Sequence, residues 1–355
     1  MMLSVALAAM LTPLATAGVI IDGVELEVVD AHLHVLESPG DFNLVGKASI
    51  IKQLPEFVVP YYSGVAGQIG NPYAPHLGVA DQLDWAGVDR GVLLATYTHH
   101  TVAFTSNRHV ESLVWDERNV AADGRARFLG MASVNLDDFG DEAVRSRRLD
   151  MLASYLADPR MIGIKLAHAH QSVAFSDPVL DDLYALAAEA GVPVLMHTGL
   201  SPFPGTQTDA EYTNPSGLED TIARFDGRGE DGRVEFILSH IGTADARAVE
   251  AALELAASYD NVWLEVSALN QELIYELDGS ESTVEGPQHP WVMADILEMG
   301  LVDRTLFATD GPQQSGKIKR YLDAIIVSMQ AAGYTTDDMA RVLSGSFYDC
   351  FSVVD

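Results

Sequence analysis

The sequence predicts a (β/α)8 barrel, a TIM-type fold with extra helices at its C-terminal end, on three observations. Eight apolar runs of β type recur along the chain. Segments of helical periodicity alternate with them, and two of these end on a glycine, Gly87 and Gly191, directly before the next run. The length of 355 residues with 48% apolar content buries a substantial core and fits either one α/β barrel or two smaller domains, and the alternation favours one domain over residues 18–355.

In chain order, the strands are expected at Glu27 to His34, Arg90 to Thr96, Arg127 to Asn135, Ile162 to Ala167, Val192 to His197, Val234 to His240, Val262 to Val266 and Thr305 to Asp310. Each is a short run rich in Val, Ile, Leu and Phe, as strands buried on both faces require. Helices are expected at Leu77 to Gly87, Asn107 to Asp123, Asp141 to Ala157, Asp181 to Ala190, Asn214 to Asp226, Thr243 to Tyr259, His289 to Met299 and Lys317 to Ala332. A last pair, Thr336 to Leu343 and Ser346 to Ser352, would pack on the barrel. Two long connections, Leu36 to His76 after the first strand and Asn270 to Gln288 after the seventh, leave from the rim on which barrel enzymes build their sites. They are either lids and substrate walls or disordered insertions.

The chemistry concentrates at strand ends. His32 and His34 close the run Val29-Asp30-Ala31-His32-Leu33-His34-Val35, and alternate strand residues face the same way, so both imidazoles can reach one ion. His197, His240 and Asp310 end the fifth, sixth and eighth runs. Singly, each is a hydrogen-bonded structural residue or a turn aspartate as readily as a ligand. In a parallel barrel, however, all strand C-termini share one rim, so the five would converge. Three imidazoles and a carboxylate suit one divalent ion, Zn²⁺ first and Mn²⁺ as the alternative, with a position open for water or substrate.

Composition excludes other classes. The chain carries 51 acidic and 21 basic residues, a formal charge of −30, which repels nucleic acid and anionic membranes. The single cysteine, Cys350, rules out an intrachain disulfide and a thiolate zinc cluster, and is expected to be a small core residue. No Gly-x-Gly-x-x-Gly follows a strand and no Walker sequence is present, so the expected partner is a small organic molecule. Assembly into a homo-oligomer is compatible with the sequence. Residues 1–17 are apolar and uncharged, with Ala15-Thr16-Ala17 shaped like a signal-peptidase site, so they form a candidate signal peptide for a periplasmic or secreted protein. Against that, no Lys or Arg precedes the apolar stretch, and a misassigned start would leave a cytoplasmic protein.

Five motifs carry a family resemblance: Asp30-Ala31-His32-Leu33-His34, Gly163-Ile164-Lys165-Leu166, Val194-Leu195-Met196-His197-Thr198-Gly199, Ser239-His240-Ile241-Gly242 and Phe307-Ala308-Thr309-Asp310-Gly311-Pro312. In that order they resemble the amidohydrolase superfamily, and within it the branch called amidohydrolase-related, or amidohydrolase 2. Val342-Leu343-Ser344-Gly345-Ser346 is similar to the family's closing helix, although that helix usually carries Gly-Asn-Ala. The resemblance implies that His32, His34, His197 and Asp310 ligate the metal. It also implies that His240 sits just beyond it and polarises or hydrogen-bonds the substrate or bound water. Lys165 matches a lysine that bridges two metals in other branches; in this branch a substrate-binding or structural ammonium with one metal is implied.

Around that set, His168 and His170 are candidate substrate contacts, a second metal site or surface histidines, and His99 is a candidate for binding a carboxylate. The expected activity is hydrolysis of an ester, lactone or amide, with Asp310 as general base. The alternative is a metal-dependent decarboxylase or hydratase, because the branch that the chain resembles includes both. A barrel retained only for binding would have no reason to keep five converging polar groups.

Overall fold

Eight parallel strands form one sheet in simple chain order: β1 (Val29–His34), β2 (Arg90–Leu94), β3 (Phe128–Ser133), β4 (Met161–Leu166), β5 (Val194–His197), β6 (Phe236–Ser239), β7 (Val262–Glu265) and β8 (Thr305–Leu306). The computed structural model describes residues 18–35, 71–73, 78–311 and 316–352. The expected signal segment and most of the connection after the first strand lie outside the described residues. The sheet closes on itself just past β8. The Ala31 amide donates to the Phe307 carbonyl at 3.0 Å, and the His34 amide donates to the Gly311 carbonyl at 2.6 Å. The fold is therefore the predicted TIM barrel.

Helices ring it: α1 (Val79–Ala86), α2 (Asn107–Val114), α3 (Glu142–Leu156), α4 (Asp181–Ala190), α5 (Glu219–Arg224), α6 (Ala246–Ser258), α7 (His289–Glu298) and α8 (Lys317–Ala332). Their ends follow local chemistry. Ser106, Asp141 and Asp245 accept amide hydrogens in the first turns of α2, α3 and α6, supplying partners that the helix itself leaves without. Gly87 and Gly191 end α1 and α4 in the left-handed region, as their place in the sequence predicts. No helix among the described residues is long and apolar enough to cross a membrane.

Several boundaries differ from expectation. The helix expected to run to Asp123 stops at Val114, because Asn119 Nδ2 donates to the Val114 carbonyl at 2.7 Å and to the Phe128 carbonyl at 2.9 Å, pinning the chain into a turn. The segment expected as one helix from Asn214 becomes a 3-10 turn, Pro215–Leu218, leading into α5, with the Asn214 side chain capping Ser216. The last helices, α9 (Thr336–Ala340) and α10 (Ser346–Phe351), are joined by one wide turn, Arg341–Gly345. An antiparallel pair, Thr96–Tyr97 with Phe104–Thr105, was not foreseen and extends the rim after β2.

The core has two parts. Val92, Leu94, Leu129, Met131, Leu195, Ile237 and Leu306 fill the barrel, and Phe347, Cys350 and Phe351 of α10 join them, so Cys350 is a buried packing residue. A larger layer between strands and helices includes Leu33, Leu93, Ile164, Met196 and Leu238. Within β1 the parity changes: Val29 and Ala31 pack inside the barrel, whereas Leu33 packs in the outer layer. Pairing with β2 is irregular between Asp30 and Leu33, and this slip is what turns His32 and His34 inward.

Candidate metal centre

His32 is fully buried and held from both sides. Its Nδ1 lies 3.3 Å from Glu265 Oε2, at the end of β7, while its Nε2 lies 3.1 Å from His34 Nε2 and 3.4 Å from Asp310 Oδ1. His34 Nε2 is 3.0 Å from the same Asp310 oxygen. The side chains of His34 and Asp310 are 31% and 25% exposed, against none for His32, so the cluster opens to solvent on the His34 and Asp310 side.

The turn after β6 is built under strain. His240, Ile241 and Gly242 all have positive φ, at 69°, 47° and 71°, a conformation that a β-branched residue rarely adopts. Close packing enforces it: a Cβ on Gly242 would fall 2.2 Å from the Ala248 carbonyl carbon, and one on Gly199 would fall 2.3 Å from the Gly242 carbonyl carbon. Thr198 Oγ1 accepts the Gly242 amide hydrogen at 2.9 Å and donates to the Ser239 carbonyl at 2.7 Å. Asp310 is itself left-handed, at φ 53°, which aspartate tolerates better than most residues.

The hydrogen-bond network assigns the imidazole protons. Glu265 Oε1 accepts the Ser267 amide, and Oε2 accepts the Ser267 hydroxyl at 3.0 Å and faces the His240 amide at 3.3 Å. Ser267 Oγ, having given its proton to Glu265, accepts from His240 Nδ1 at 2.7 Å. Both His32 and His240 therefore keep their Nε2 lone pairs. His32, His240 and Asp310 can each offer one ligand atom within 4.8 Å of the others. His197 stands beside them, its ring 4.8 Å from that of His240 and edge-on, and its buried Nε2 has no hydrogen-bond partner among the described residues.

Four other residues singled out in the sequence fall into place differently. Lys165 points into the barrel with Nζ 3.3 Å from Ser239 Oγ. His168 and His170, expected to alternate along an extended chain, sit instead on a one-turn helix, His168–Gln171, which turns them apart. His170 goes toward the centre, with Nδ1 2.6 Å from Thr101 Oγ1 and its ring 5.3 Å from His197. His168 packs on Phe175 and donates to the Val173 carbonyl at 3.1 Å. His99 turns to Asp137, 2.8 Å away.

Electrostatics follow from burial. Desolvation lowers His32 and His197 well below the ordinary histidine range and His240 and His170 to about 3, so the rings stay neutral, the form that binds metal. Burial also pushes Glu265 up and Lys165 down, while their mutual attraction opposes both shifts. For Asp310 burial acts upward, but Lys317 and the hydrogen bond to His34 prevail and hold the carboxyl well below its usual range. Lys317, at the start of α8, also donates to the Asp310 carbonyl at 2.8 Å.

Glu265 and Lys317 were missed in the sequence. Glu265 was legible, as an acidic side chain ending an apolar run at the position His197 and Ser239 hold in theirs; it pairs with Ser239 in register. Lys317 carried no signal, because its role depends on how the chain folds back after β8.

The donor set fits a divalent ion on two observations: the buried Nε2 of His197, without a hydrogen-bond partner among the described residues, and the ring nitrogens of His32 and His34 converging on the Asp310 carboxylate. The amidohydrolase family's sequence profile matches residues 29–346. The chain belongs to this amidohydrolase family. No curated protein sequence matches it.

Among solved structures the amidohydrolase is similar to an uncharacterised TIM-barrel protein of Bordetella bronchiseptica, at 17% identity and TM-score 0.64, covering 92% of this chain and 99% of that one. It is also similar to a probable 2-pyrone-4,6-dicarboxylic acid hydrolase of Acinetobacter baumannii, at 13% identity and TM-score 0.54, covering 92% and 100%. A third is the 5-carboxyvanillate decarboxylase of Sphingomonas paucimobilis, at 15% identity and TM-score 0.54, covering 93% and 100%. At these identities the likeness shows the fold alone. The family supplies the enzyme class, with hydrolases and decarboxylases both among the structural neighbours.

Proposed function

We propose that this amidohydrolase is a metal-dependent hydrolase that opens an ester, lactone or amide bond of a small organic substrate. His32, His34, His197 and Asp310 would hold one divalent ion, Zn²⁺ before Mn²⁺. When bound, such an ion lowers the pKa of its water toward ~7. The observation that carries the reading is Asp310: a carboxylate on the open side of the cluster, its Oδ1 3.4 Å from His32 Nε2 and 3.0 Å from His34 Nε2.

Asp310 accepts the proton of the attacking water and returns it to the departing oxygen or nitrogen. His240, fixed by Ser267, presents Nε2 as an acceptor that orients the same water. Lys317 keeps Asp310 ionised and anchors its carbonyl. His170, held by Thr101, belongs to the substrate side of this reading, and His99 would stand farther out on the rim, whereas His168, buried against Phe175, is a packing residue.

A lyase reading is favoured by one feature, the buried Lys165 ammonium, which would suit a substrate carboxylate. In that case loss of CO₂ or of water replaces hydrolysis.

Elemental mass spectrometry on wild type and on a His32→Ala, His34→Ala variant tests the centre. About one equivalent lost from the variant is expected; two lost would give Lys165 a bridging role, and none lost would return the histidines to structural duty. Screening lactones and esters by acid release, against aromatic carboxylates by CO₂ release, then separates hydrolase from lyase.

A further inference from the structure

A second group of ligand-type side chains lies on the rim, outside the barrel centre. His99 and His100 occupy the turn between the short strands Thr96–Tyr97 and Phe104–Thr105, and Asp137 follows β3. His99 Nε2 lies 2.8 Å from Asp137 Oδ2, and His100 Nε2 lies 2.9 and 3.1 Å from the two carboxylate oxygens. The imidazole rings lie close, with centroids 4.1 Å apart and planes tilted by 47°. One ligand atom from each residue lies within 4.8 Å of the other two.

We propose that His99, His100 and Asp137 form a second divalent-cation site, suited to a borderline ion such as Zn²⁺ and separate from the barrel centre. Two imidazole nitrogens and a carboxylate match the ligand preference of such ions. Ligands ~2.1 Å from an ion at right angles to tetrahedral angles stand ~3.0 to 3.4 Å apart. The observed nitrogen-to-oxygen spacings of 2.8 to 3.1 Å lie at or just below that range, so an ion enters with a small spreading of the donors. His100 is 59% exposed and its two partners about a third, which leaves a path for the ion and positions for water.

The frame is fixed in advance. Asn135 Oδ1 accepts the Asp137 amide at 2.8 Å, and Arg148 of α3 donates to the carbonyls of Asn135 and Asp137. The Thr98 carbonyl accepts amides from Thr101 and Val102, closing the histidine turn. That turn also carries Thr101, which holds His170 against His197. An ion on the rim therefore braces one wall of the barrel centre.

Full-length protein stripped with chelator and titrated calorimetrically with ZnCl₂ tests the site. Wild type is expected to bind two ions, the His99→Ala, His100→Ala variant one, and the His32→Ala, His34→Ala variant one. Asp137→Asn, which keeps the side chain's shape, is expected to weaken the rim step at least tenfold and decides the matter should the alanine variant be unstable. Equal stoichiometry in wild type and the rim variant, or an unchanged rim affinity in Asp137→Asn, overturns the proposal and leaves a surface ion pair.

Discussion

His32 and Glu265 face each other at the barrel mouth, with Nδ1 3.3 Å from Oε2, and this pairing turns the other imidazole nitrogen toward Asp310 Oδ1, 3.4 Å away. The same carboxylate faces the His240 amide and holds Ser267, which fixes the His240 ring. One buried acid thus orients two histidines from different strands. Carboxylates that hold a ligating histidine by its second nitrogen raise ligand basicity and fix the tautomer.

Glu265→Gln is expected to fold and to bind its metal ~10- to 100-fold more weakly. The amide must offer N–H to one of a set of donors that now all meet an acceptor. Competition against a metal-sensing chelator measures the affinity, and a value equal to wild type would remove Glu265 from the centre.

Gly242→Ala is expected to destabilise the protein by about 2–4 kcal/mol and to lower metal content with it. The new methyl group meets the Ala248 backbone at 2.2 Å and the residue sits at φ 71°, so both space and torsion oppose it. Urea unfolding reads the stability. A midpoint unchanged from wild type would mean that the turn after β6 relaxes freely and that its strain does not position His240.

How much of this was legible in the sequence depends on what each signal rests upon. All eight strands were, because a strand buried on both faces must be apolar along its length, and the five converging side chains were, because every parallel strand ends on one rim. Helix ends were less so: the Asn119 side chain stops α2 through bonds to Val114 and Phe128, and the second of these comes from β3. The inward turn of His32 and His34 depends on a slip in β1 pairing that no local pattern records. His168 and His170 misled for the same reason, since alternation in sequence means a shared face only if the chain stays extended.

Stability is expected to fall with acid partly through His168. Burial lowers its pKa from 6.5 to about 4, the bond to the Val173 carbonyl opposing and Lys165 adding to the shift. The unfolded chain therefore takes up this proton first as pH drops. The contribution is present above pH 6.5 and is lost progressively down to about pH 4. His168→Asn keeps a donor for Val173 but has nothing to titrate. Between pH 7 and 4.5, chelator-treated wild type should lose about 2 kcal/mol more than the variant in urea unfolding. Parallel losses would show that His168 is protonated as easily in the folded state.

Asp310→Asn separates proton transfer from architecture. The amide keeps the shape and leaves the Lys317 bond to the backbone carbonyl untouched, so the fold and much of the metal binding are expected to survive. What disappears is the carboxylate charge that His32 and His34 both face. An amide cannot accept the water's proton at neutral pH, so turnover of an ester or lactone substrate should fall ~10²- to 10⁴-fold with KM little changed. A variant that retains metal and near-wild-type kcat would move the proton-accepting role to His240 Nε2, the other acceptor that the network leaves in place.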